Sequence, residues 1–349
     1  MNAERPIRVL VADDSSTSRE LLAGILRADG RFELVGMAVD GLETVAMTRD
    51  LRPDVVMMDI HMPGIDGVKA TRRIMEETPV PIVVVTGSVV FSDVAVTLNA
   101  LEAGALAVLR KPSGPRSPDF EEESRRIIST VKAMAGVKVI RRRPRHEAGG
   151  AGPEQRAALS RKPVKAVAIA TSTGGPAALR RILAGLPGSF PVPILVVQHI
   201  SKGFAPGLAM WLEEAASLRV KLGEHGELLV PGCVYIAPDG WHMGVSRESR
   251  IVLSDEPPVE GFKPSGTFLF ESIAASFGDG SLAVVLTGMG QDGVAGLRAV
   301  RDAGGRVLVQ DEASSVVFGM PRKAIEAGLA DAALPLDGMA DRILGEVGG

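Results

Sequence analysis

Cysteine is almost absent, with one residue, Cys233, in a chain of 349. A single thiol excludes an internal disulfide framework and any cysteine-rich zinc site, and it fits a reducing compartment. Its ordinary role is that of a small buried apolar residue. Aromatic side chains are also scarce, at 4% with 2 Trp and 1 Tyr, too few for the stacking platforms of single-strand nucleic-acid binders. Long apolar runs are missing too. Ile82–Val85 and Ala283–Leu286 are among the longest, far short of the roughly 20 residues that span a bilayer. The opening Met1-Asn2-Ala3-Glu4-Arg5-Pro6 has no basic segment leading into an apolar stretch, so no signal peptide is read there. A cytoplasmic location without direct membrane insertion is expected.

Hydrophobic residues make up 46% and charged residues 23%, an ordinary globular balance, and the length suggests two domains. The formal net charge of −3 is unevenly spread. Residues 138–162 carry +6, including Arg141-Arg142-Arg143-Pro144-Arg145, and the remainder carries −9. That stretch has no apolar period and contains Gly149-Gly150-Ala151-Gly152-Pro153, so it reads as a basic flexible linker. The expected domains are therefore 1–137 and 163–349.

In the first domain, Ile7–Ala12, Phe32–Ala38, Val55–Asp59, Ile82–Thr86 and Leu106–Leu109 are Val/Ile-rich runs that read as buried strands. Amphipathic stretches Ser16–Ala28, Leu42–Arg49, Val68–Glu76, Val94–Ala103 and Phe120–Met134 alternate with them, and Ser15 is placed to cap the first. Five β-α units imply a doubly wound parallel sheet with its chemistry at the strands' carboxyl ends. Alternation resumes at Val164–Ala170, Ile194–His199, Leu282–Thr287 and Val307–Gln310, with helices starting near Pro176, Pro206, Gly293 and Phe318. Between them Val230–Ala237, Trp241–Val245 and Arg250–Ser254 read as a small β-hairpin insertion. The second domain is again α/β.

Two constellations carry chemistry. In the first domain Asp13-Asp14, Asp59, Thr86 and Lys111 fall at the ends of four strands. Three converging carboxylates would repel one another unless a hard cation such as Mg²⁺ joins them. With Lys111, that ion would neutralise phosphoryl oxygens in transfer to Asp59, while Thr86 supplies a hydrogen bond. In the second domain Ser172 lies on a Gly-rich turn, Thr171-Ser172-Thr173-Gly174-Gly175-Pro176, between strand and helix. It is a degenerate nucleophile elbow lacking the first glycine. His199 and Asp292 also fall at strand ends, which allows a Ser-His-Asp triad; Ser172 as a plain helix cap is the alternative. A rival lies in Gly288-x-Gly290-x-x-Gly293, a dinucleotide-binding pattern with Asp311 following the next strand. Against it, Asp292 would oppose a pyrophosphate and little βαβ structure follows.

Residues 1 to about 125 resemble the receiver domain of bacterial response regulators, through Asp13-Asp14, the run Asp59-Ile60-His61-Met62-Pro63-Gly64-Ile65-Asp66-Gly67, Thr86 and Lys111-Pro112. The resemblance implies a flavodoxin-like fold, a cis peptide at Lys111-Pro112, and phosphorylation of Asp59 by a sensor histidine kinase in the presence of Mg²⁺. Val108 stands where receivers usually carry Tyr or Phe. Residues 163 to about 345 resemble the catalytic domain of the chemotaxis-type protein-glutamate methylesterases, the CheB family. The matches are Ser172-Thr173-Gly174-Gly175-Pro176, Gln198-His199, Tyr235-Ile236-Ala237-Pro238, Thr287-Gly288-Met289-Gly290 with Asp292-Gly293, and the run from Gln310 to Pro321. This resemblance implies a Rossmann-like esterase domain in which Ser172 is the nucleophile, His199 the base and Asp292 its orienting acid. It further implies that Thr173 and the Met289 amide lie beside the oxyanion.

The departures are Ala170 for the usual Gly, Thr171 for the following Ala, and the reversed pair Asp239-Gly240. The segment usually written His-Arg-Pro-Ser-Val-Asp here reads Phe262-Lys263-Pro264-Ser265-Gly266-Thr267. The expected substrates are methyl-esterified glutamates, and in some members glutamines, on the cytoplasmic helices of methyl-accepting receptors. No cofactor is expected for the ester hydrolysis. In the unphosphorylated state the receiver is expected to lie across the Ser172 cleft. The basic run 141–145 raises a nucleic-acid-binding output as another reading, but the output half lacks a helix-turn-helix signature and is too long and strand-rich. No nucleic-acid partner is expected, and the oligomeric state is left open. His61, His146 and His225 read as solvent-facing, and Trp211 and Met57-Met58 as core.

Overall fold

The computed structural model describes residues 5–87, 91–137 and 162–348. The basic stretch expected as a linker, and His146 within it, lie outside the described residues except for Lys162.

The first half runs β1 (Ile7–Ala12), α1 (Ser16–Arg27), β2 (Phe32–Ala38), α2 (Gly41–Leu51), β3 (Val55–Met58), α3 (Gly67–Glu77), β4 (Ile82–Thr86), α4 (Phe91–Ala103), β5 (Ala107–Arg110) and α5 (Phe120–Ala135). The strands form one sheet in the order β2-β1-β3-β4-β5, with every pair parallel. Helices cover both faces, so β3 and β4 are buried throughout, and β3 and all of β4 but its last residue, Thr86, are apolar. Ser15 caps α1 as expected, accepting the Ser18 amide at 3.3 Å. Asp40 and Asp66 cap α2 and α3 in the same way.

The second half runs β6 (Ala166–Thr171), α6 (Gly175–Ala184), β7 (Ile194–Gln198), α7 (Ala205–Glu213), β8 (Arg219–Leu222), β9 (Cys233–Ile236), β10 (His242–Val245), β11 (Ile251–Ser254), α8 (Gly266–Phe277), β12 (Ser281–Val285), α9 (Val294–Asp302), β13 (Arg306–Gln310), α10 (Met320–Glu326), β14 (Ala332–Leu334) and α11 (Leu336–Val347). Seven strands form a second parallel sheet in the order β14-β13-β12-β6-β7-β9-β8. The insertion is smaller than its turn residues imply. Only β10 and β11 pair as a hairpin, whereas β9 joins the main sheet parallel to β7 and β8. The reason is burial: Cys233-Val234-Tyr235-Ile236 is apolar on both faces and needs cover on both.

The two halves pack together. α4 lies on α7 and touches α6, and Val94, Leu98 and Leu101 share one apolar cluster with Leu208, Trp211 and Leu212. A Cβ on Gly207 would stand 2.3 Å from Val94 Cγ1, so the glycine permits the close approach. Trp211 is fully buried, as expected, and donates from Nε1 to Asn99 Oδ1 at 3.0 Å. Arg180 pairs with Glu102 at 2.7 Å while its guanidinium lies 4.2 Å over the Trp211 ring. Met57 and Met58 are core, as expected. Among the described residues no helix is long and apolar enough to cross a membrane.

Candidate functional site

The first sheet brings its expected residues to one edge. Asp13, Asp14 and Asp59 offer carboxylate oxygens within 4.8 Å of one another. Lys111 Nζ lies 2.6 Å from Asp13 Oδ2 and 2.7 Å from Asp59 Oδ2. Asp59 Oδ1 accepts the Ile60 amide at 2.7 Å, which fixes the carboxylate plane. Asp14 is exposed, while Thr86 is fully buried at the end of β4. Burial pushes the Asp13 carboxyl up, and Lys111 offsets this only in part. Burial also opposes the Lys111 charge, but the two carboxylates outweigh it and hold the ammonium above the usual lysine value. Three carboxylates against one ammonium leave surplus negative charge in a largely dry corner, a donor set that fits a hard divalent cation.

One expectation at this edge fails. Among the described residues the only cis peptide is Lys263-Pro264, so Lys111-Pro112 is trans. From that backbone the lysine already reaches both carboxylates, with its amide donating to Thr86 O at 2.8 Å.

The second sheet presents its own edge, where Ser172 follows β6, His199 follows β7 and Asp292 lies in the turn after β12. His199 Nε2 is 2.8 Å from Asp292 Oδ2. An ionised carboxylate only accepts, so Nε2 carries the proton and Nδ1 is the ring's acceptor. Nδ1 is buried and has no partner. Asp292 also accepts from Ser265 Oγ at 2.7 Å and from the Gly266 and Thr267 amides at 2.6 and 3.2 Å. It thus sits at the N-terminus of α8, where the helix dipole favours an anion. Burial alone would raise its pKa, but His199, Ser265 and the Gly266 amide outweigh it and hold the carboxyl below the usual range.

Ser172 is half-buried on the turn before α6. The plain-cap alternative is excluded by position, because the helix is capped by Gly174 at φ +80° with no side-chain bond. The Ser172 amide donates to Thr287 O at 3.1 Å, and its carbonyl accepts from Gly175 N at 2.9 Å. Gln198 Nε2 donates to both Ser172 O and His199 O, at 2.8 and 2.9 Å, so one side chain ties the two loops together. The amides of Thr173 and Met289 donate to no group among the described residues. Ser172, Thr173, His199, Phe262 and Met289 line a cavity of about 710 Å³. Its other wall is the first half of the chain, with Leu106, Val108, Arg126 and Ser129 among the lining residues. Among the described residues no hydrogen bond joins Ser172 Oγ to the imidazole; such bonds are often long without substrate and tighten on binding.

The dinucleotide reading loses its footing here. A Cβ on Gly288 would stand 2.8 Å from Ser172 Cβ and 2.5 Å from Met320 Sδ, so this glycine lets the turn pack on the serine loop. Asp311, expected to meet a ribose in that reading, caps its own turn by accepting the Ser314 amide at 2.9 Å. Sequence reasoning gave no role to Ser265, Gln198 or Phe262. Pro264-Ser265-Gly266 ahead of an apolar run is a legible N-cap signal for α8, whereas nothing in the sequence ties Gln198 to two carbonyls. His61 and His225 are exposed, as expected, with His225 Nδ1 accepting the Leu253 amide at 3.1 Å.

A phosphoacceptor-type carboxylate edge and a buried His-Asp couple beside a serine loop, on two parallel sheets, define a response-regulator receiver joined to an α/β esterase. The family model for the response regulator receiver domain matches residues 9–117, and that for the CheB methylesterase matches residues 167–343. The chain belongs to the CheB methylesterase family. It is 53% identical over 341 residues to protein-glutamate methylesterase/protein-glutamine glutaminase 4 of Myxococcus xanthus, covering 97% of this chain and 96% of that one. It is 52% identical over 338 residues to protein-glutamate methylesterase/protein-glutamine glutaminase 3 of Anaeromyxobacter dehalogenans, covering 97% and 98%. The crystal structure of the Thermotoga maritima CheB methylesterase catalytic domain aligns with a TM-score of 0.51 at 39% identity, covering 52% of this chain and 98% of that one.

Proposed function

We propose that this chain hydrolyses γ-methyl esters of glutamate on the cytoplasmic helices of methyl-accepting receptors, with Ser172 as nucleophile, His199 as base and Asp292 as orienting acid. The observation that carries the reading is the buried His199–Asp292 pair, whose Nδ1 has no hydrogen-bond partner, with His199 and Ser172 lining the same cavity. Ser172 Oγ gives its proton to Nδ1 as the Oγ–carbon bond forms. The developing oxyanion is met by the Thr173 and Met289 amides, which have no other acceptor among the described residues. The imidazolium returns its proton to the leaving oxygen, methanol departs, and water hydrolyses the glutamyl ester to a free carboxylate. A glutamine side chain would follow the same route with ammonia leaving.

Residues 1–137 serve as the receiver and 163–349 as the catalytic domain, joined by the basic 138–162. Asp59 accepts a phosphoryl group from a sensor histidine kinase, with Lys111 and Thr86 meeting its oxygens. Asp13, Asp14 and Asp59 would hold Mg²⁺, which supplies positive charge to those oxygens. The receiver wall of the cavity supports autoinhibition, and phosphorylation shifts the population towards an open cleft. Methanol release from methylated receptor fragments tests both halves. Acetyl phosphate with Mg²⁺ is expected to stimulate the wild type and leave Asp59→Asn unmoved. An unstimulated wild type would refute the regulatory half, and full activity in His199→Ala the catalytic half.

A further inference from the structure

Asp292 fixes one edge of the His199 imidazole, yet a single hydrogen bond leaves the ring free to tilt about it. A second contact removes that freedom. The Phe262 ring stacks on His199 with centroids 4.3 Å apart and planes 13° from parallel. The phenyl group is delivered by a short, closed turn: Val259 and Phe262 exchange two backbone hydrogen bonds, at 2.9 and 3.1 Å. Glu260 and Gly261 take the positive φ values, 51° and 85°, that such a turn demands. The turn is anchored on both sides, by His242 Nε2 donating to Pro257 O at 3.1 Å and by Lys263 Nζ donating to Asp255 O. It is therefore a built platform.

We infer that Phe262 is a positioning residue for the reaction, holding the plane of the His199 ring in the orientation from which Nδ1 takes the Ser172 proton. This rests on the triad proposed above. A phenyl side chain makes no side-chain hydrogen bond, so its contribution here comes from its planar face and from the water it displaces beside the His199–Asp292 pair. Stacked aromatic pairs contribute more than the same area of aliphatic contact. A leucine fills part of the volume without a face. A histidine supplies a smaller planar ring. Tyrosine is not the conservative choice, because its hydroxyl brings a hydrogen-bonding group to the ring edge nearest Gly290.

The test uses the full-length protein with Phe262→Leu and Phe262→His, and with Ser172→Ala and His199→Ala as controls. Initial rates on methylated receptor fragments give kcat and KM. Diethyl pyrocarbonate labelling, followed by peptide mass spectrometry, reports the accessibility of the His199 ring. Phe262→Leu is expected to lower kcat by roughly 3- to 10-fold with KM unchanged and to speed His199 labelling. Phe262→His is expected to restore most of kcat and protection. Wild-type kcat in Phe262→Leu beside an inactive His199→Ala overturns this inference alone. So does a loss that Phe262→His fails to recover. Retained activity in both controls overturns the triad and this inference with it.

Discussion

Replacing Asp292 by asparagine separates the two services that this carboxylate performs. Its Oδ2 faces His199 Nε2 and the Gly266 amide, and its Oδ1 faces Ser265 Oγ and the Thr267 amide. Asparagine has one acceptor oxygen and one NH₂ group. With oxygen at the Oδ2 place it keeps the two short contacts, at 2.8 and 2.6 Å, and sets NH₂ against a rotatable hydroxyl and the long 3.2 Å contact. The opposite flip sets NH₂ against two short donors and is the costlier. His199 therefore keeps its tautomer in Asp292→Asn, and only the charge opposite the developing imidazolium is lost. Charge-assisted bonds are about twice as strong as neutral ones, a difference of about 1–2 kcal/mol. That corresponds to a fall in kcat of about 5- to 30-fold. Asp292→Ala strands Nε2 and the Gly266 amide and frees the tautomer, so its loss is expected at about 10³–10⁴-fold. Steady-state methanol release from methylated receptor fragments measures both, with thermal melts confirming folded protein. Equal losses in the two variants, or a wild-type kcat in Asp292→Asn, would refute the reasoning.

Gly288→Ala is expected to lower kcat at least tenfold, since its Cβ meets Ser172 Cβ at 2.8 Å and Met320 Sδ at 2.5 Å; normal kinetics would show that the turn yields freely. Asn99→Ala removes the acceptor of the buried Trp211 N–H, weakening the docking of the halves by about 1–3 kcal/mol. Basal hydrolysis by the unphosphorylated protein should rise several-fold, and an unchanged basal rate would contradict receiver inhibition. The depressed folded-state pKa of Asp292 contributes stability that is complete above its unfolded value, about 3.9. That contribution is lost as pH falls through the lower folded value. Denaturant melts should show the stability advantage of wild type over Asp292→Asn shrinking from pH 5 to pH 3, and a constant gap would contradict the assignment.

Strand runs were the most legible part of the sequence. Ile7–Ala12, Phe32–Ala38 and Ile82–Thr86 match the observed elements end to end: Ile82–Thr86 is buried along its whole length, and in the other two the apolar run is interrupted only by Arg8 or by Glu33 and Gly36. The same logic explains the error at Cys233–Ile236, where neighbouring Pro-Gly and Asp-Gly pairs suggested a hairpin and the doubly apolar run determined the outcome. Helix α8 has three Phe and no clean polar face, so its period is hard to see, although Ser265 marks its start. Ser172, His199 and Asp292 were singled out by their places after strands and by motif resemblance, and the sheet brings all three to one edge. Ser265, Gln198 and Phe262 act through contacts between segments distant in sequence, which a linear reading does not reveal.

The central claim is that Ser172 opens the receptor ester under the control of Asp59. Mass spectrometry of a methylated receptor fragment, digested before and after exposure to the protein, tests it most directly. With acetyl phosphate and Mg²⁺ present, the wild type should convert methyl-glutamate peptides to their free carboxylates. Asp59→Asn should convert them at the slow basal rate, and Ser172→Ala should leave them intact. Loss of the methyl groups in the Ser172→Ala reaction at the wild-type rate would contradict the account.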